Sequence, residues 1–190
     1  MSNNEQLIRD KAEFKELCAD INRDGIDDLM QWLEDSDFYT APASTRFHGS
    51  VEGGLLRHSL NVYLELMTVL SAYPEIEVSH ETIVICSLFH DLCKVNFYGT
   101  EQRNRKNSQG KWEKYNAYTV KEKFPFGGHG SKSVFLIQNF IKLLPEEAVA
   151  INCHMGAWGD NKNDVGKAFE TYPLAWALHV ADEAATYLRE

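Results

Sequence analysis

The sequence predicts an all-α helical bundle carrying one inserted β-hairpin at residues 95–120. Three observations lead there. Apolar residues recur at helical spacing through most of the chain, with Gly and Pro at the gaps between runs. Residues 95–120 alone change to aromatic and β-branched runs around a turn-like tetrapeptide. With 190 residues, 44% of them hydrophobic, the chain is the size of one domain around a single core.

Taken in order, residues 5–20 and 26–36 have helical periodicity, with Asp24-Gly25 as the break between them. Residues 37–52, "DFYTAPASTRFHGSVE", read as loop. "GGLLRHSLNVYLELMTVLSAY" (53–73) is a long amphipathic helix ending before Pro74. Ser79 is a suitable N-cap for a helix over 80–93, and Glu77 and Glu81 favour its positive end. "VNFYGT" and "KWEKYNAYTV" flank "NSQG" and form the hairpin. "FPFGGHG" is a loop before a helix over 131–143. Pro145 occupies the first position of a helix over 145–156. After the loop "GAWGDNKND", residues 167–189 form the last helix, with a break near Pro173.

Charged residues make up 25% of the chain, as in an ordinary soluble protein, and no apolar run reaches the ~18 residues of a membrane span. The start, "MSNNEQLIRDKAEFKEL", is polar and acidic rather than a secretory signal. Cys18, Cys86, Cys93 and Cys153 show no CxxC spacing, which predicts reduced thiols and a cytoplasmic location. Cys86 and Cys93, seven apart, fall on one helix face as small core residues. Cys153 precedes His154 and points elsewhere. The net charge of −9 is uneven. Residues 94–123 hold eight Lys/Arg and three Asp/Glu, a local balance of +5. A wide nucleic-acid-binding face is excluded by the acidic remainder, whereas a local anion site directly after His90-Asp91 is not. A solvated charged loop accounts for the same run.

Seven histidines stand at positions 48, 58, 80, 90, 129, 154 and 179. A lone histidine on a helix is usually a packed or surface group. Here His58, His90, Asp91, His129, His154 and Asp182 all fall inside or at the ends of different helices. Successive helical residues point about 100° apart. One arrangement that satisfies both His90 and Asp91 therefore brings them to one metal from different directions. The second oxygen of Asp91 is then free to bridge to another ion.

This pattern resembles the HD-domain superfamily of metal-dependent phosphohydrolases. Its signature of a His, a His-Asp pair and a later Asp is matched by His58, His90-Asp91 and Asp182. "LFHDLCKV" resembles the superfamily's "LLHDIGK", and "LHVADEAAT" its closing "LHxAD" helix. With "HGSVEGGLLRHSLNV" the matches run over residues 46–188, onto which the N-terminal helices 5–36 pack as part of a single domain, 1–190. The resemblance implies an HD-type helical bundle. It also implies the six-ligand, dinuclear form: one metal held by His58, His90, Asp91 and Asp182, and a second by Asp91, His129 and His154. A nitrogen and oxygen donor set without thiolate suits Mn, Fe, Co or Ni, with Mg also compatible, better than structural zinc.

The implied activity is hydrolysis of a phosphate ester by a metal-activated water, with Asp91 and Lys94 as catalytic residues. Lys94 matches the Lys of HD-x-x-K and suits a substrate phosphate; a solvent-exposed Lys at a helix end is the plain alternative. Arg46 and His48 lie in the loop before the first ligand helix, and His179 one turn before Asp182, as substrate-binding or supporting groups. In the hairpin, Arg103 and Arg105 alternate with Trp112 and Tyr115. Cations and rings together suit a nucleotide or a short single strand, and the rings equally suit packing on the helical body. The expected partner is a small phosphorylated molecule, with no membrane. An HD-fold diiron oxygenase uses the same six ligands. A non-catalytic sensor or adaptor is the third reading. No GYP motif of cyclic-di-GMP phosphodiesterases is present.

Overall fold

Residues 82–89, "TIVICSLF", leave no polar stripe to face water, so a helix formed from them must be enclosed on all sides. The computed structural model describes residues 3–160 and 162–190 and places this helix at the centre. The elements are α1 (Asn3–Cys18), α2 (Ile26–Glu34), α3 (Gly54–Ala72), α4 (His80–Phe89), β1 (Tyr98–Lys106), β2 (Trp112–Val120), α5 (His129–Gln138), α6 (Pro145–Cys153), α7 (Val165–Thr171) and α8 (Pro173–Ala184). The fold is thus mostly helical with one two-stranded antiparallel sheet, as the sequence predicts. Ser79 caps α4 by accepting the Thr82 N–H at 3.1 Å, and every side chain from Thr82 to Phe89 is buried.

Helix α3 packs on α4 and α8, and α6 on α8 and α5. The N-terminal helices close one side of this bundle. Phe14 of α1 meets Phe38, Tyr39 and Phe89 at ring-centroid distances of 5.0, 5.8 and 6.1 Å, in tilted and edge-on geometries favoured by aromatic rings. Gly25, at φ +89°, starts α2 against the carbonyl of Phe140; a side chain there is barred by both backbone angle and space.

An ion pair ties the same side together. Glu147, fully buried in α6, accepts two bonds of 2.6 Å from the guanidinium of Arg23 and one of 2.8 Å from the Thr82 hydroxyl. It also accepts the Leu144 N–H at 2.8 Å, closing the first turn of α6. Arg23 reaches Glu81 at 3.2 Å and the carbonyl of Lys142 at 2.9 Å. One loop residue between α1 and α2 thereby clips α4 to α6.

Several helices are shorter than the periodicity predicts. The run over 80–93 is helical only to Phe89. His90 is its C-cap, Asp91 leaves the helix at φ −109°, ψ 22°, and Leu92–Lys94 form one 3₁₀ turn. The Cys93 N–H is held by the hydroxyl of Ser133 in α5 at 3.1 Å, a contact across 40 positions that local periodicity does not register. Cys86 and Cys93 therefore share no helix face. Helix α5 stops at Gln138 and α6 at Cys153, and the last run divides at Pro173 before ending in a π-helical turn, Ala185–Arg189.

The hairpin runs in register from Tyr98↔Val120 to Lys106↔Trp112. Only its base meets the bundle: Tyr98 donates to the carbonyl of Ala43 at 3.1 Å, and Ala117 is its one buried side chain. Trp112 is 70% exposed, so its ring does not pack on the helical body. Loss of the Arg23 clip has a measurable cost. Glu147→Ala leaves a partly buried guanidinium and the Thr82 hydroxyl without their acceptor. The expected loss is about 3–5 kcal/mol in urea unfolding, the range for breaking one side of a buried pair.

Candidate metal centre

Two histidines are oriented by the same local device. His90 and His154 are the C-caps of α4 and α6, at φ −55°, ψ −31° and φ −56°, ψ −34°. The Nδ1 of each lies against the carbonyl three residues back: Ser87 at 2.8 Å and Ile151 at 2.6 Å. A carbonyl only accepts, so Nδ1 carries the proton and Nε2 presents a lone pair. Both Nε2 atoms are buried and have no hydrogen-bond partner. A buried lone pair without a donor is costly in apolar surroundings, and the unmet demand here is for a cation.

Asp91 lies between them, 3% exposed. Its Oδ2 faces the Nε2 atoms of His90 at 3.5 Å and His58 at 3.7 Å; its Oδ1 faces the Nε2 of His154 at 3.6 Å. Asp182 Oδ1, from α8, adds contacts of 3.1 Å to His58 and 3.9 Å to His90. Two donors ~2.1 Å from one ion stand ~3.0 Å apart at a right angle and ~3.4 Å apart at the tetrahedral angle. The observed separations are a slightly expanded version of that geometry, so the donor set fits a divalent cation. His58 Nδ1 meets Glu190 Oε1 at 3.0 Å, and the same oxygen accepts from Asn61 at 3.0 Å. This carboxylate holds the His58 ring with Nε2 aimed at Asp91 and Asp182.

Lys94 Nζ lies 2.5 Å from Asp91 Oδ2 and is buried. It is not the solvent-exposed helix-end lysine of the plain alternative. Burial opposes its charge, but the Asp91 carboxylate outweighs burial and raises its pKa above that of an ordinary lysine. Burial likewise opposes the charge of Asp91, and Lys94 with His90 and His154 holds it well below the usual carboxylate range. Burial lowers His58, yet its bonds to Asp182 and Glu190 bring it up to about 9.

On the other side of Asp91, Cys93 Sγ lies 3.7 Å from Oδ1 and 3.3 Å from His129 Nδ1. His129 opens α5. Its neighbour Gly130 allows α5 to approach α6: a Cβ there would stand 2.2 Å from the carbonyl of Asn152. This brings the start of α5 beside the end of α6, where His154 sits. Cys93 and Glu190 are the members of the cluster that periodicity and spacing do not point to.

The remaining candidates lie around this core. The His48 ring is 5.1 Å from that of His58, and burial lowers its pKa. His179 lies away from the donors but bonds the His154 carbonyl through Nδ1 at 2.7 Å, with Gly156 (φ +53°) against its ring. It supports His154 from behind. Asp91, Lys94, His129 and Asp182 line a cleft of about 1310 Å³ whose walls include exposed Phe47, Val51, Val120, Trp158 and Tyr187. Arg46 is not on those walls and lies over the Phe47 ring at 5.5 Å. Nor are Arg103, Arg105, Trp112 and Tyr115. Arg103 pairs with Glu101 at 2.5 Å and Arg105 with Glu113 at 2.7 Å; Arg105 also covers Tyr115 at 4.9 Å.

Among the described residues, no helix is long and apolar enough to cross a membrane. Searches among curated proteins and among solved structures return no match. The family model "HD domain" matches residues 55–186, a span that begins just before His58 and includes every donor from it to Asp182. Such domains bind divalent metals and are typical of metal-dependent phosphohydrolases. By that match, and by the clustered histidines and aspartates that bear it out, the chain belongs to the HD domain family.

Proposed function

We propose that this protein is a dinuclear metal-dependent hydrolase of small phosphate esters, with a nucleotide or other phosphorylated compound bearing a flat apolar body as substrate. The observation that carries the reading is the division of Asp91: Oδ2 faces His58 and His90, while Oδ1 faces His154. A carboxylate presenting its two oxygens to two sets of imidazole lone pairs is arranged to join two cations. His58, His90, Asp91 and Asp182 would hold one, and Asp91, His129 and His154 the other; Mn, Fe, Co and Ni, with Mg, suit the nitrogen and oxygen donors. Two such ions supply a water nucleophile near neutral pH and neutralise phosphoryl charge.

The chain's own groups do the rest. Lys94, buried beside Asp91 on the cleft wall, would meet a phosphoryl oxygen of the ester and stabilise its charge as a point cation. Glu190 orients the His58 ring through Nδ1, and His179 steadies the backbone of His154 by bonding its carbonyl. Phe47, Trp158 and Tyr187 offer apolar surface to the ester's organic part. Two of the hairpin's cations, Arg103 and Arg105, are engaged with Glu101 and Glu113 and stand off the cleft walls, which favours a small molecule over a nucleic-acid strand.

A second reading, an HD-fold oxygenase with two irons, gains support from the cleft's acidity. Asp10, Glu52, Glu183 and Glu190 line it, and its Arg57 and Arg189 are paired with Asp10 and Glu65. Metal analysis, a panel of nucleoside monophosphates, aryl phosphates and phosphodiesters with Mn²⁺, and an oxygen electrode separate the two. The expected result is two ions per chain and phosphate release without oxygen uptake; iron-dependent oxygen uptake with no hydrolysis favours the oxygenase.

Asp91→Ala is expected to lose both ions and to lower phosphate release by at least ~100-fold, beyond what outer-shell partners cost. His129→Ala should retain the fold and one ion. A wild-type protein that takes up a single ion, with His129→Ala unaltered, contradicts the dinuclear model. A pH dependence also follows from His58. Its Nε2 must be unprotonated to bind, and in the metal-free protein it holds its proton up to about pH 9. Affinity for the His58-side ion is expected to rise with pH, by up to about tenfold per unit, and to level off above pH 9. Calorimetric titrations in buffers of different ionisation enthalpy will report the released proton.

A further inference from the structure

We propose that Cys93 is a thiolate ligand to the second cation, making that position selective for a borderline or soft metal; the inference rests on the dinuclear reading above. Beside the Ser133 side chain, the Sγ atom meets three polar atoms of metal-site residues: His129 Nδ1 at 3.3 Å, Asp91 Oδ1 at 3.7 Å and the Asp91 carbonyl at 3.8 Å. Donors at ~2.3 Å (sulfur) and ~2.0–2.1 Å (nitrogen or oxygen) from one ion stand ~3.1 Å apart at a right angle and ~3.6 Å at the tetrahedral angle. The 3.3 Å sulfur contact to His129 lies between those values, and the 3.7 Å contact to Asp91 is just beyond the larger.

A second observation points into the same space. His154 Nε2 is fully buried, without a partner, and 3.6 Å from the Asp91 oxygen that faces Cys93. Asp91, Cys93 and His129 each place one donor within 4.8 Å of the others, and His154 Nε2 faces the same Asp91 oxygen.

The position of the sulfur is fixed by the fold. Cys93 sits in the 3₁₀ turn after Asp91, and its N–H is held by Ser133 of α5, the helix that starts at His129. The turn that frees Asp91 from α4 therefore also aims Cys93 toward His129. On metal binding the Sγ–H proton passes to solvent and a sulfur–metal bond forms; no electron is transferred. Thiolate favours Zn²⁺, Co²⁺ or Fe²⁺ over Mg²⁺ and Mn²⁺, so the two positions differ in metal preference although they share Asp91.

Titration of the metal-free protein with Co²⁺ tests this. The expected outcome is two Co²⁺ per chain, the one at the second position giving a sulfur-to-cobalt charge-transfer band in the near ultraviolet. Cys93→Ser should abolish the band and weaken that Co²⁺ by about 10–100-fold, while Mn²⁺ binding changes by only a few fold. Cys153→Ser should leave the band intact. X-ray absorption of the wild-type Co²⁺ protein should show one sulfur for every two ions, a readout that stands even where the Cys93 variant fails to fold. Two ions bound without sulfur ligation overturn the thiolate assignment and leave the dinuclear reading in place. Failure of the wild-type chain to take up a second ion overturns both.

Discussion

Asp91 carries its charge inside a hydrophobic bundle, where an isolated carboxylate would cost several kcal/mol. Its surroundings are organised around that cost. The helix that delivers it is buried on every face from Thr82 onward and ends at Phe89, two residues before it, so the carboxylate turns off the helix instead of into its core. Around it stand His58, His90 and His154 from three helices, and Lys94 from the next turn. The lysine lies 2.5 Å from Asp91, closer than any of the three imidazoles. A single buried charge thus links the end of a helix and the convergence of three others.

Convergence on Asp91 demands rigid neighbours, and α6 shows how rigidity is obtained. At its start, Glu147 is locked by Arg23, Thr82 and the Leu144 N–H. Past its end, the His154 carbonyl is held by His179. Along its side, Gly130 lets α5 approach without an intervening side chain. A helix of nine residues fixed at both ends and on one flank has little freedom to move the imidazole it carries.

The order of the site was legible in the sequence because its strongest signals are local. His58, His90, Asp91, His129, His154 and Asp182 each fall within or beside a helix that periodicity, a cap or a proline marks out. What escaped rests on contacts between distant positions. Glu190 reaches His58 across 132 residues and Arg23 reaches Glu147 across 124, and neither pair leaves a trace in spacing. Cys93 was obscured for another reason. Its distance of seven from Cys86 matches a helix face, and only the break after Phe89 turns it from the core toward His129. The hairpin was visible from its residue types, but the role of its rings was not. Arg105 over Tyr115 and Lys106 over Trp112 at 5.5 Å are pairings within the hairpin itself.

The paired caps of α4 and α6 carry a consequence for how such a centre tolerates sequence drift. The acceptors that set the His90 and His154 tautomers are main-chain carbonyls, those of residues 87 and 151. Any side chain compatible with the helix supplies the same oxygen, so substitution at those two positions leaves the orientation intact. His58 is different, since its ring is set by the side chains of Glu190 and Asp182. Of the three imidazoles that turn Nε2 to Asp91, two are insulated from mutation by the backbone, and the third is exposed to it. Drift in the coordination geometry would enter through His58.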